Sequence, residues 1–315
     1  MICYHQTMSQ ELREAIMQKS KRELMLQKIP VDKFIEKYHV YNPDVIETVK
    51  EFPVLSYLLG SVTKEPQGTD ARPDGTVRPY WLVKEGSGMF GLTNPEDAMH
   101  WKGIFTHITG ASRHVYFLSD KIAHATPIQK QKLLALGYTP ASLASLDPDL
   151  LRDHKLIDHA GRRQMDELAW HDIHDSAHPS TYSEKNTLAL LEQNGADSYF
   201  LHHMKEEDHA YLFSRGKSGR LKDIQFAVLT YGDWTYAQKP MNLKERFAGL
   251  RLRNRADGKT LDVLETLGQT FESDLQHVFG ESIIHEMMEL KPYKWEEKIK
   301  KAYASSAGLP VSIFA

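Results

Sequence analysis

Trp170-His171-Asp172-Ile173-His174-Asp175-Ser176-Ala177-His178-Pro179 packs three histidines and two aspartates into residues 171–178. Apolar positions lead up to it through Ile157, Met165 and Leu168, with Ala169 and Trp170 alongside. Helical spacing sets Leu168 and Asp172 one turn apart on a single face, so the pair His171-Asp172 belongs where a core-facing helix ends. A buried carboxylate beside a buried imidazole is costly without compensation, and a divalent metal suits that donor pair. Read this way, the stretch makes the fold a set of helices that carry further groups to one point.

The rest of the chain follows the same period. Residues 8–28 form an amphipathic pattern through Leu12, Ile16, Leu24 and Met25 that Pro30 ends. Short helical patterns follow at Val31–Tyr38, Asp44–Phe52 and Val54–Leu59. Residues 63–79 hold Pro66, Gly68, Pro73, Gly75 and Pro79 and read as a long loop. Asn94-Pro95-Glu96-Asp97 is a helix start, with a capping side chain, proline at the first position and acids near the positive end. That helix runs past Ile104, Ile108, Ala111, Val115, Leu118 and Ile122, carries His107 and His114 two turns apart, and is closed by Pro127. A short helix is expected at Gln129–Leu136, then a loop with Pro140 and Pro148.

Beyond the opening stretch, Ser183-Glu184 starts a helix that Gly195 ends, and Ala196–Phe213 carries His202, His203 and His209. Arg215-Gly216-Lys217-Ser218-Gly219-Arg220 is a basic loop able to offer backbone N–H groups and cations to a phosphate. Leu221–Tyr231 is an apolar helix leading to Asp233; Leu243–Leu252, 260–279 and 281–290 are further helices, and Lys291–Lys301 reads as charged and solvated. Strand-type alternation is almost absent, so an all-α fold is expected.

Composition narrows the function. The 315 residues suffice for one large domain or two ordinary ones, and 41% hydrophobic residues can build a sizeable core. A net charge of -3 argues against long nucleic acid as a partner. Cys3 is the only cysteine, which excludes an intramolecular disulfide and a multi-cysteine zinc site and suits a reducing, cytoplasmic setting. No apolar run of ~18 residues suggests a membrane span, and the charged N-terminus does not read as a signal peptide. Of 16 histidines, 12 fall between His100 and His209.

His107, then His171-Asp172, then Asp233 resembles the HD-domain metal-dependent phosphohydrolase superfamily. The supporting context is the small or apolar series at 111, 115 and 118 after His107, Leu168-Ala169-Trp170 running into the dipeptide, Leu191–Asp197 leading to His202-His203, and Leu229-Thr230-Tyr231-Gly232-Asp233 followed by Leu243-Lys244-Glu245-Arg246-Phe247. The resemblance covers residues 94–255, with 1–93 as an N-terminal helical segment and loop and 256–315 as a helical extension.

The resemblance implies an HD-like helical bundle and a divalent ion (Mn, Fe, Co, Ni, Zn or Mg) held by His107, His171, Asp172 and Asp233, with a nucleotide or other small phosphoester as substrate. The stretch between His107 and His171 is longer than the family's, so His114, and behind it His159, compete for the first position. Asp175 stands where many members have lysine; one turn beyond Asp172, it is the candidate base. His178, His202, His203 and His209 could hold a second ion, and Arg215, Lys217 and Arg220 could hold phosphate. The alternatives are a di-iron oxygenase on the same scaffold and a non-catalytic module that binds a nucleotide or a protein partner.

Overall fold

The computed structural model describes residues 31–37, 40, 42–56, 59, 65–71, 77–82, 95–156, 219–252 and 258–306. They are predominantly helical: α1 Val31–Lys37, α2 Pro43–Glu51, α3 Pro95–Ala123, α4 Pro127–Ala135, α5 Pro140–Ala144, α6 148–156, α7 Ile224–Trp234, α8 Leu243–Leu252, α9 Gly258–Phe279, α10 Ser282–Met288 and α11 Lys294–Ser306. Among these residues no helix is long and apolar enough to cross a membrane. The chain divides into two compact units. The first takes its described residues from 110–155, 219–252 and 258–290; the second takes them from 31–109, 156 and 291–306.

The first unit is built around α7. Its sequence, Ile224-Gln225-Phe226-Ala227-Val228-Leu229-Thr230-Tyr231-Gly232-Asp233-Trp234, is apolar nearly all round, the mark of a helix enclosed by others. Asp223 caps it, accepting from the backbone N–H groups of Gln225 at 2.9 Å and Phe226 at 3.2 Å. Packed around it in one continuous core are Val115, Leu118 and Ile122 of α3, Leu243, Phe247 and Leu250 of α8, and Leu261, Leu264, Phe271 and Leu275 of α9. The α3 and α7 backbones approach at Gly232, where an added Cβ would meet a Val115 methyl and the Ala111 carbonyl.

The second unit pairs α2 with α11. Val45 and Val49 of α2 and Ile299, Ala302 and Tyr303 of α11 are buried. Trp295 stands 5.7 Å from Phe52 and meets Phe105 edge-on at 6.4 Å.

Four sequence expectations change. Residues 65–71 and 77–82 are not loop but the strands β1 Glu65–Ala71 and β2 Val77–Leu82, an antiparallel pair running from Glu65↔Leu82 to Ala71↔Val77 with an irregularity between Pro66 and Gly68. Prolines suggested a loop, but both strands of a hairpin are edges, and edges tolerate proline. Pro127 opens α4 rather than closing α3, because Thr126 and Gln129 form a reciprocal capping box around it. Pro140 likewise begins a short helix capped by Thr139. Finally, α11 is half buried rather than solvated. Its lysines and glutamates mask an apolar face formed by Trp295, Ile299, Ala302 and Tyr303.

Candidate functional site

Ten of the eleven residues of α7 are buried, and the exception is Asp233. Its side chain is 24% exposed, so this helix presents one carboxylate to solvent from an otherwise enclosed element. Lys155 Nζ lies 3.9 Å from Asp233 Oδ1, with the lysine side chain only 2% exposed. That separation is within ion-pair reach but longer than a hydrogen bond. The ammonium therefore acts on the carboxylate through charge without occupying its lone pairs.

Lys155 ends a run of three buried ionisable residues on α6, Asp153, His154 and Lys155. Successive helical residues point about 100° apart, so protein covers most of the circumference there. Arg152 compensates Asp153, donating from Nε at 3.0 Å and Nη2 at 2.8 Å to Oδ1, and it also pairs with Asp149 at 2.8 Å. Its guanidinium lies 5.3 Å from the centre of the Tyr116 ring. Sequence reading passed over this run because four consecutive ionisable residues suggest a solvated face. The available signal was Leu151, one turn before Lys155 and fully buried.

His114 is wholly buried on α3. Its Nδ1 is 2.8 Å from Thr235 Oγ1, one residue past α7, and that hydroxyl donates to the Tyr231 carbonyl at 2.9 Å. With the hydroxyl proton so directed, Nδ1–H is the donor and Nε2 carries the lone pair. Nε2 is buried and makes no hydrogen bond. The ring meets Tyr236 edge-on at 5.1 Å, and Arg113 Nη2 donates to the Tyr236 hydroxyl at 3.0 Å. Gly110 makes room for that ring, since a Cβ there would overlap it.

Burial, with the Arg113 charge beside it, pushes the His114 imidazole down to about 3. An unfolded imidazole titrates near ~6.5, so between the two values the unfolded chain holds a proton that the folded chain does not. Stability is then full above about pH 6.5 and falls as the pH drops towards about 3, by up to ~1.4 kcal/mol per pH unit. Denaturant midpoints measured across this range should show the slope in the wild type. His114→Asn keeps a donor for Thr235 but does not titrate, so it should flatten that slope. An unchanged slope in the variant would refute the assignment.

Of the expected ligands, Asp233 and the rival His114 fall in the first unit and His107 in the second. His107 sits half-buried on α3 with its Nδ1 enclosed. His171, Asp172, Asp175, His178, His202, His203, His209, Arg215 and Lys217 lie outside the described residues, as do His159 and the helices expected at 8–28, 183–195 and 196–213. Arg220 is described, and its guanidinium is committed elsewhere. Nε and Nη2 each donate to Asp274 at 2.8 Å, and Nη1 donates to the Leu136 carbonyl at 3.0 Å.

Among the described residues no group of three or more His, Cys, Asp or Glu side chains is placed to hold a metal. Comparison with protein-family models, with curated proteins and with solved structures found no match.

Proposed function

We propose that the chain is an HD-type metal-dependent phosphohydrolase, a phosphomonoesterase or phosphodiesterase acting on a nucleotide or another small phosphoester. The observation that best supports this is Asp233, the one residue of a buried helix to reach solvent, at the position where the sequence pattern expects the closing carboxylate. Asp233, His171, Asp172 and either His107 or His114 would hold a divalent ion; His178, His202, His203 and His209 are the donors available for a second. Such an ion, when bound, lowers the pKa of a coordinated water and polarises the phosphoryl group. Asp233 contributes negative charge that reaches the surface of the first unit. Where His114 is the nitrogen ligand, Thr235 would hold its imidazole in one tautomer. Asp175 takes the proton of the attacking water.

The test is elemental analysis of chelator-free protein, followed by a screen of nucleoside phosphates and simple phosphoesters with Mn, Co, Ni, Zn and Mg. One or two equivalents of metal and metal-dependent release of phosphate or nucleotide are expected, and Asp233→Ala should lose most of the metal. His107→Ala and His114→Ala then separate the two rivals, since only the true ligand should take the metal with it. Iron with oxygen consumption would redirect the reading to an oxygenase. Tight nucleotide binding without turnover would redirect it to a non-catalytic module.

A further inference from the structure

We propose that α11 exchanges between two copies of this chain, so that the α11 of each completes the second unit of the other. The observation that carries it is the joint before α11. The preceding helix, α10, belongs to the first unit, whereas α11 belongs to the second. Both ends of the joint are closed locally. Past α10, the Glu289 N–H donates to the His285 carbonyl at 3.1 Å and the Leu290 N–H to the Met287 carbonyl at 3.4 Å. At the start of α11, the Tyr293 N–H donates to Glu296 Oε1 at 2.9 Å and the Glu296 N–H to the Tyr293 carbonyl at 3.0 Å. The Tyr293 ring stacks on Trp295 at 5.4 Å. Each helix therefore keeps its own end when the other moves, and Lys291-Pro292, both exposed, are left as the hinge. Proline fixes its own φ and disfavours helical backbone in the residue before it, so this hinge favours an extended path over a tight turn.

Exchange keeps the contacts that hold α11. The helix packs on α2 with Ile299, Ala302 and Tyr303 buried, and Trp295 meets Phe52 and Phe105. Lys298 adds charge complementarity, reaching Glu47 at 3.5 Å. The α2 of a second copy offers the identical face, so the same contacts form between chains. What differs is the entropy of association, set against the ease with which the hinge lets α11 return to its own chain. A short flexible linker gives an effective concentration in the roughly millimolar range, and a hinge that prefers to extend lowers it. Exchanged dimers should therefore compete at high protein concentration.

Glu47 and Lys298 are exposed, so cysteines there report the pairing without entering the core. In a Cys3→Ser background, a Glu47→Cys chain and a Lys298→Cys chain are unfolded together in denaturant, refolded at roughly millimolar total protein and diluted. A short bismaleimide is then added. A covalent pair of one chain of each kind, identified by mass, is expected. The pair should be nearly lost when the two chains are refolded separately, each at low concentration, and mixed afterwards, because α11 must then undock before it can exchange. Ile299→Asp in the Lys298→Cys chain removes the anchor of the docking face and should abolish the pair. Pro292→Gly in both chains relaxes the hinge and should lower its yield. Linking no greater after joint refolding than after separate refolding, linking that survives Ile299→Asp, or a yield that Pro292→Gly leaves unchanged overturns the proposal.

Discussion

Asp175→Asn should retain its metal and hydrolyse phosphoesters ~10²–10⁴-fold more slowly. Asp175 follows Asp172 by three residues, and on the helix end expected from the sequence that spacing would bring both to one reacting centre. The amide preserves the shape of the carboxyl group but cannot take a proton from water. The effect should therefore fall on kcat at saturating metal, with metal content and melting temperature unchanged. Full activity in the variant would remove Asp175 from the reaction. Metal loss together with activity loss would instead make it a ligand.

Asp274→Ala should strongly destabilise the first unit. Asp274 is 4% exposed on α9, and its carboxylate accepts from Arg220 Nε and Nη2 and from the Tyr138 hydroxyl, each at 2.8 Å. Arg220 also donates to the Leu136 carbonyl, so one carboxylate ties together the end of α4, the strand of chain entering α7, and α9. Removing it leaves a buried hydroxyl and a partly enclosed guanidinium without their acceptor, at a cost of about 3 kcal/mol. The melting temperature of the first unit should fall by roughly 6–12 °C. Tyr138→Phe deletes only one neutral donor and should cost about 1 kcal/mol. Desolvation, then the nearby Asp274 charge, hold the Tyr138 hydroxyl above its ordinary range, so it stays a donor at every pH where the fold is intact. Equal losses in the two variants would show that the carboxylate does not carry the network.

Where a helix has one clean apolar face, its sequence was enough to find it. Leu243, Phe247 and Leu250 mark α8, and the structure places that helix at Leu243–Leu252 with these three residues buried. The solvent-reaching place of Asp233 was legible for a related reason: a lone carboxylate closing an apolar run is conspicuous. Lys155 was not, because the sequence does not say which member of a charged run faces inward; that depends on what is packed around α6. The strands 65–71 and 77–82 were hidden by prolines that only an edge can accept. In α11 the lysines and glutamates together outnumber the apolar residues, and the stripe Ile299, Ala302, Tyr303 becomes visible only at helical spacing. The His114–Thr235 contact joins residues 121 positions apart, and no local pattern announces such a pair.

The second unit joins α2 to α11, and Lys298 reaches Glu47 across 251 positions of chain, at 3.5 Å. A ribosome adding about 5–20 residues per second makes the later helix roughly 10–50 s after the earlier one. For that interval Val45 and Val49 have emerged while Ile299 and Tyr303, of the helix that packs on theirs, do not yet exist. The first unit faces no such wait for its last piece, since α10 ends at Met288, before α11 begins. Synthesis therefore imposes an order: the unit carrying Asp233 can be complete while the other is still unfinished. During translation, chaperones and proteases meet the apolar face of α2 before α11 is there to pack on it.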